Sequence, residues 1–532
     1  MRKLNQIHAL LIKNPKPHVL NPWLGFLIKS SAPENALFLY NQMLHQRPSH
    51  NHYTFTYALK ACCLLHSPHK GQEIQAHVTK SGHISDTFIQ NSLLHFYIIR
   101  SDIVSATQVF DSIPVPDVVS WTSMISGLSK CGFLEEAVMK FMSMDIKPNP
   151  TTLVTVLSSC STLRAVKFGK AVHGHCLRNF HESNLILNNA VLEFYLRCGS
   201  LASARYLFVN MPKRDVVSWT SMVGGYAQRG FCEEAVKLFQ QLVQGGEADP
   251  NEATIVNVLS ACSLICALRS GQQVHSYIST QRDLMVNVNV GNALINMYVK
   301  CGHLGMAISV FKALECRDII SWTALISGMA MNGHGIQVLQ LFSSMLVNGI
   351  SPDGVTFLGL LTACSHAGLV NQGLMFFNAM KKIYQIVPET LHYACLVDMY
   401  GRAGLLEEAE AFIKEMPMKA DGPVWGALLN ACKIHGNEEM VERISEGLRN
   451  SAQVTTGTYA LLSNAYANHD RWDDSNKVRD EMREMGMKTP PGCSWIEIGP
   501  EIKHTDRCSN TWSTLGKNHS LSNQTTEGSL KA

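Results

Sequence analysis

The tripeptide Ser-Trp-Thr stands at 120–122, 218–220 and 321–323, in steps of 98 and 103 residues. A chain that repeats at a long fixed period stacks copies of a unit instead of folding round one core, which constrains its architecture more tightly than any composition does. A second series keeps the same beat, since Cys62, Cys160, Cys262 and Cys364 lie 98, 102 and 102 residues apart. Each long period divides into three units of roughly 35, 35 and 31 residues. The first type opens on VVSWT or IISWT and closes on Asn149, Asn251 or Asp353. The second carries an ACS-type segment and a GK/GQ-x-VH element, and the third closes on Asp117, Asp215 or Asp318.

Within the unit that opens at Val118, the residues Trp121, Met124, Ile125 and Leu128 recur at i, i+3, i+4 and i+7, the spacing of an apolar helical stripe. Cys131-Gly132 then supplies a turn, with glycine suited to the position after a helix end. Leu134, Ala137, Val138, Phe141 and Met142 repeat the stripe, and Pro148 is expected to close the element. Neither helix can bury its stripe alone. Stacked hairpins can, so the expected fold is all-α, a right-handed superhelical solenoid of helix-turn-helix hairpins with the first helices lining its concave side.

Composition agrees with a folded chain. Of the 532 residues 46% are hydrophobic and 16% charged, and the length exceeds what one compact core accommodates. No apolar run reaches the roughly 18 residues of a membrane span; the candidate 256–268 is broken by Asn, Ser and Cys. The formal net charge of +3 falls short of a domain that holds nucleic acid mainly by neutralising phosphates. The sixteen cysteines form no C-x-x-C pair, so they read as small buried apolar groups in a reducing compartment. The first 33 residues hold no acid and carry Arg2, Lys3, Lys13, Lys16 and Lys29, the charge pattern of a transit segment. Equally, Gln6 to Lys13 matches the second helix of later repeats.

The segments VVSWTSMISG, SKCGFLEEAVMKF, GNALINMYVKCG, HYACLVDMYGRAGLLEEAEAFIKEMP and PGCSWIEI resemble the plant pentatricopeptide repeat family, specifically its P-L-S subclass. The resemblance covers residues 20 to 498. It places P units at 20–51, 118–149, 216–251 and 319–353, L units at 52–86, 150–184, 252–287 and 354–389, and S units at 87–117, 185–215, 288–318 and 390–421. Residues 1–19 read as a partial repeat or targeting segment. Two hairpins across 422–489 resemble the family's E motifs, and 490–532 is expected to be a degenerate, disordered tail.

The resemblance implies RNA recognition at about one base per unit, through the fifth residue and the last. Here these pairs are Asn91 with Asp117, Thr122 with Asn149, Asn189 with Asp215, Thr220 with Asn251, Asn292 with Asp318, and Thr323 with Asp353. A carboxylate only accepts hydrogen bonds, which suits the protonated ring nitrogen of uracil or guanine, whereas an amide can donate to adenine or cytosine. Threonine leaves more space for a purine than asparagine. The implied word is 5′-U-A-N-U-A-N-U-G-3′, with N opposite L units. Leu24, Val154, Val256 and Leu358 offer a base no hydrogen bond, and Ala394 with Asp421 is left unassigned. The same short polar residues are also good helix caps, a reading that stands beside this one.

No catalytic chemistry is expected. None of the 22 histidines is followed two residues later by Glu, and a zinc deaminase needs H-x-E with C-x-x-C. No phosphate loop, metal site or cofactor motif appears. The family resemblance implies a site-recognition factor for C-to-U editing of organelle transcripts, in the mitochondrion or alternatively the chloroplast. It would recruit a deaminase-bearing protein and accessory factors through 422–489. Alternatives are an RNA-binding factor for stabilisation, processing or splicing, and a protein-binding helical scaffold, whose usual W-x2-L-G-x2-Y pattern is missing.

Overall fold

The computed structural model describes residues 17–45, 50–179, 184–449, 455–487, 493–498 and 501–506. Residues 1–16, which carry most of the basic leader and the Gln6 to Lys13 match, lie outside them. Throughout the repeats a first helix, a tight turn and a second helix recur. First helices run Val118–Lys130, Val216–Gln228 and Ile319–Met331 in P units, and Thr87–Ile99, Leu185–Arg197, Val288–Lys300 and Thr390–Arg402 in S units. In L units they run His52–Leu64, Pro150–Leu163, Glu252–Leu264 and Gly354–Ala367.

Both ends of these helices are written locally. Asp or Asn immediately before the first residue accepts the backbone N–H three residues on, as Asp117 does from Ser120 and Asn149 from Thr152. After the last turn, Gly132, Gly199 and Gly302 take φ of +88°, +86° and +76°, a left-handed conformation that residues with a Cβ adopt at a cost.

The chain divides into two compact units, residues 1–225 with 246–248, and 226–245 with 249–532. Within each, a first helix packs on its own second helix and on neighbouring first helices. In the first unit, Trp121 and Trp219 are buried edge-to-face on Phe110 and Phe208 of the preceding hairpin, centroids 4.9 and 4.8 Å apart. In the second, Trp322 meets Phe311 the same way at 4.8 Å. Lys140, Arg214 and Arg317 each lie over the phenylalanine ring of such a pair. The recurrent cysteines 62, 160, 262 and 364 are fully buried. Burial pushes the Cys62 thiol up to about 12 and those of Cys160 and Cys364 up to about 11, so they act as packing groups rather than nucleophiles.

The glycine of the GK/GQ element is a socket. A Cβ at Gly71, Gly169, Gly271 or Gly373 would stand 2.1 to 2.5 Å from a side-chain atom of Phe96, Phe194, Met297 or Met399 in the following first helix. At Gly71 and Gly169 the approach is onto the ring of a fully buried phenylalanine, so glycine lets the two helices close on each other; at Gly271 and Gly373 it meets the flexible end of a methionine.

Three expectations are corrected. The first helix begins at Pro17 (Pro17–Lys29), three residues before the anticipated unit start, and Leu24 is fully buried in the core. The second helix of the 118–149 unit is Leu134–Met142, which ends well short of Pro148; its P-unit counterparts are Cys232–Gly245 and Gly335–Val347. That unit is shorter than its counterparts, so the missing residues come out of the last turn and Met142 is left 62% exposed. Beyond the E-like hairpins, Gly422–His435 with Glu438–Arg449 and Thr456–Asn468 with Trp472–Glu484, the tail is not structureless. Cys493–Ile498 pairs antiparallel with Glu501–Asp506, Ile498 opposite Glu501, and the first of these strands carries the strand-favouring Trp495, Ile496 and Ile498. Residues 507–532 lie outside the described residues. Among those described, no helix is long and apolar enough to cross a membrane, and no cluster of three metal-ligating side chains occurs.

Helix Val166–Asn179 offers an internal control on the socket. Gly169→Ala is expected to destabilise the protein by about 1–3 kcal/mol, because its new methyl overlaps the Phe194 ring. Gly174→Ala, with nothing within 4 Å of its Cβ, should stabilise by about 0.5–1 kcal/mol. Urea unfolding of the two variants measures this, and changes of the same sign would refute the socket.

Candidate nucleic-acid interface

Most first helices start at a junction where the last residue of one unit caps the next, and at several of these the fifth residue of the earlier unit arrives beside that cap. At the three junctions between S and P units the geometry is the same. Asn91 Nδ2 donates to Asp117 Oδ1 at 3.3 Å, Asn189 Nδ2 to Asp215 Oδ1 at 3.1 Å, and Asn292 Nδ2 to Asp318 Oδ1 at 3.1 Å. Each Oδ1 also accepts the backbone N–H of Ser120, Ser218 or Ser321, at 2.8, 2.9 and 2.8 Å. These bonds all fall on Oδ1 and none on Oδ2. The residues paired by sequence spacing are therefore brought into direct contact here, and the last residue of each pair also caps the next helix.

Burial alone disfavours the charged form of these three aspartates. Hydrogen bonds from the serine backbone and hydroxyl and from the asparagine amide outweigh it, so each carboxyl is held below its ordinary range and stays ionised. Its polarity toward a ligand is fixed: two lone-pair-bearing oxygens, one engaged by the cap.

Junctions between P and L units differ. Thr122 does not touch Asn149; its Oγ1 lies 2.6 Å from Thr152 Oγ1, which donates to Asn149 Oδ1 at 2.9 Å. Thr323 likewise meets Thr356 Oγ1 at 3.1 Å, and Thr356 donates to Asp353 Oδ1 at 2.7 Å. Asn251 Oδ1 accepts from the backbone and hydroxyl of Thr254, while Thr220 sits one turn into Val216–Gln228. A cap must present an acceptor to the helix end, so Oδ1 always faces inward. The second atom differs by residue, Oδ2 in aspartate and Nδ2 in asparagine, one an acceptor and the other a donor.

A seventh pair was missed by sequence reading. Because the first helix begins at Pro17, its fifth residue is Asn21 and not Leu24; Asn21 Nδ2 donates to Asn51 Oδ1 at 2.6 Å, and Thr54 Oγ1 donates to Asn21 Oδ1 at 2.9 Å. The signal was the helix length, thirteen residues here as in the other P units. Also missed were the second residues of the first helices. Phe88, Val119, Ile186, Val217, Ile320 and Val355 are exposed although the residue after each is buried, against the usual apolar pattern.

Asn292 retains only 7% of its surface, yet it borders a cavity of about 590 Å³ that is also lined by Glu252, Asn257, Asn289, Asn296 and Ile320. That volume lies in the range of small-molecule sites. Glu252 is pinned there by the amides of Asn287 and Asn289, at 2.7 and 2.6 Å.

Comparison with known proteins follows this geometry closely. The PPR repeat signature matches residues 119–147, 217–247, 292–319, 355–383 and 392–419, a second description of the PPR repeat family matches 317–366, and the E motif matches 435–497. A pentatricopeptide repeat-containing protein of Arabidopsis thaliana is 36% identical over 479 residues, 90% of this chain and 86% of its own. A chloroplastic one from the same plant is 38% identical over 522 residues, 92% of this chain and 70% of its own, and a mitochondrial one 34% over 528 residues, 92% and 77%. The crystal structure of the maize pentatricopeptide repeat protein PPR10 aligns with TM-score 0.59 at 15% identity, covering 91% of this chain and 77% of that one. PPR10 in complex with an 18-nt psaJ RNA element aligns at 0.54 and 14% identity, covering 91% and 87%. Repeat, E motif and fold agree, and the chain belongs to the pentatricopeptide repeat family.

Proposed function

We propose that the chain is a sequence-specific single-stranded RNA-binding protein of a plant organelle, mitochondrion or chloroplast, that selects sites for C-to-U editing. The observation that carries the RNA reading is the threefold recurrence of one arrangement, Asn91–Asp117, Asn189–Asp215 and Asn292–Asp318, each with an amide donor and an outward carboxylate oxygen on adjacent atoms. Uracil offers the complement, a carbonyl acceptor beside an N3–H donor, and a pyrimidine fits the space beside asparagine. At Thr122–Asn149 and Thr220–Asn251 the shorter side chain and the amide suit adenine, and Thr323–Asp353 suits guanine. The exposed second residues, Phe88, Val119, Ile186, Val217, Ile320 and Val355, supply apolar faces against which bases stack.

The word read is 5′-U-A-N-U-A-N-U-G-3′. By the same logic Asn21 with Asn51, a donor facing a pyrimidine-sized space, extends it at the 5′ end with cytosine and one unread base. For the coarser reading, RNA binding in an organelle, support comes from the mitochondrial and chloroplastic names of relatives and from the RNA complex of maize PPR10. Editing rests on the E motif, and we assign the hairpins 422–489 to recruitment of a deaminase carried by another chain, with the chain itself supplying no catalysis, metal or cofactor.

Purified protein should bind an oligonucleotide carrying the word at least tenfold more tightly than scrambled controls, and Asn292→Thr should redirect the base opposite that unit from U toward G, since one good base contact is worth roughly 1–3 kcal/mol. Competition binding reads both; an unchanged U preference in the variant would defeat the pairing scheme. Transcript sequencing of a line lacking the protein should show conversion lost at one or a few cytidines downstream of the word. Normal conversion with altered transcript ends or splicing would instead favour the stabilisation and processing role.

A further inference from the structure

Behind Asn91, Asn189 and Asn292 stands a buried hydroxyl from the next unit. Ser120, Ser218 and Ser321 are completely buried. Each Oγ stands within reach of two acceptors, Oδ1 of Asn91, Asn189 or Asn292 at 2.7, 2.6 and 2.6 Å and the cap Oδ1 at 2.8, 2.9 and 2.8 Å, and shares its one proton between them. The serine backbone N–H already reaches the cap, and at Asp215, as at Asp353 with Thr356, the hydroxyl also accepts the cap residue's own backbone N–H at 3.3 Å. Its further contact falls on the asparagine. With Oδ1 held by the serine and one Nδ2 proton given to the aspartate, the amide is fixed at both ends, leaving its second N–H as the group it can offer.

The distribution of hydroxyls along the array follows the same logic. Where the fifth residue is Asn21, Thr122 or Thr323, the third residue of the next unit is Thr54, Thr152 or Thr356, fully buried, with its Oγ1 2.9, 2.6 or 3.1 Å from the fifth residue's polar atom. Where the fifth residue is Val154, Val256 or Ala394, the third residue of the next unit is Leu187, Val290 or Val424, without a hydroxyl. Leu358 faces His392 in that place. Thr56 is the exception, a hydroxyl-bearing fifth residue that precedes Ile89; its hydroxyl donates to its own helix at His52 O, as that of Thr122 also does at Val118 O. A hydroxyl present only for capping has no reason to track the fifth residue in this way.

We propose that this third residue, Ser120, Ser218 and Ser321 after S units and Thr54, Thr152 and Thr356 after P units, is a positioning residue for base recognition. It locks the fifth side chain in register with the outward atom of the last residue. The inference rests on the base-reading function proposed above.

Ser321 is the test site. The full-length chain, as wild type, Ser321→Ala and Ser321→Thr, is titrated with the oligonucleotide word and with two single U→C changes, one opposite unit 288–318 and one opposite unit 87–117. The Ala variant is expected to lose about fivefold of its U-over-C preference opposite 288–318, the equivalent of one net hydrogen bond, and none opposite 87–117. The Thr variant should keep the preference, as Thr54 already holds Asn21 in this way. Thermal melting by circular dichroism establishes that each variant is folded. Full U preference in a folded Ala variant, or equal loss at both positions, overturns the positioning role. A wild type with no preference at either position instead overturns the base-reading function, and this proposal with it.

Discussion

Everything in the repeats is arranged around one bond, from the backbone N–H at the third position of a helix to Oδ1 of the residue that precedes the helix. It starts the first helix in nearly every unit, at distances of 2.8 to 3.4 Å from Asn51 through Asp86, Asn149, Asp215, Asn251 and Asp353 to Asp421. A helix N-terminus leaves several N–H groups without partners, so the cap is worth about 1 kcal/mol each time. Its wider importance is geometric. By fixing one oxygen toward the helix it orients the rest of the same side chain, and at the junctions between S and P units the fifth residue of the preceding unit donates to that same oxygen.

The two sides of each hairpin stack divide the labour. Second helices and the inner stripe of the first helices make the core, through the Trp–Phe pairs such as Trp322 with Phe311 and through the glycine sockets that admit Phe96, Phe194, Met297 and Met399. Those contacts set the spacing between successive first helices within each compact unit. The polar pairs then inherit that spacing without contributing much to the core themselves, which is why the Asn–Asp–Ser geometry is so alike at Ser120, Ser218 and Ser321.

Much of this was legible in the amino-acid pattern. The SWT recurrence announced hairpins, the Trp121 stripe gave the buried face, and Gly132 gave the turn. What stayed hidden depended on register and length. Asn21 was overlooked because nothing upstream of Leu20 resembles VVSWT, and only a helix beginning at Pro17 moves the fifth place from Leu24 to Asn21. Pro148 looked like a terminator, but the shorter unit had already ended its helix at Met142. The strand pair Cys493–Ile498 with Glu501–Asp506 was read as tail because six-residue segments carry too little periodicity to stand out. The serine of SWT was in plain view from the start; its partner twenty-nine residues upstream emerges only when two helices are placed side by side.

The inward-facing cap oxygen has a consequence for how such a chain can change over generations. Aspartate and asparagine cap a helix about equally well and have the same shape, so exchanging them at Asp215 or Asn251 leaves folding nearly untouched. On the proposed reading, the same exchange inverts what the outward atom offers a nucleobase. Selection on stability would be blind to it, and a lineage could drift from one transcript to another by near-neutral single substitutions, each altering preference and leaving the scaffold intact.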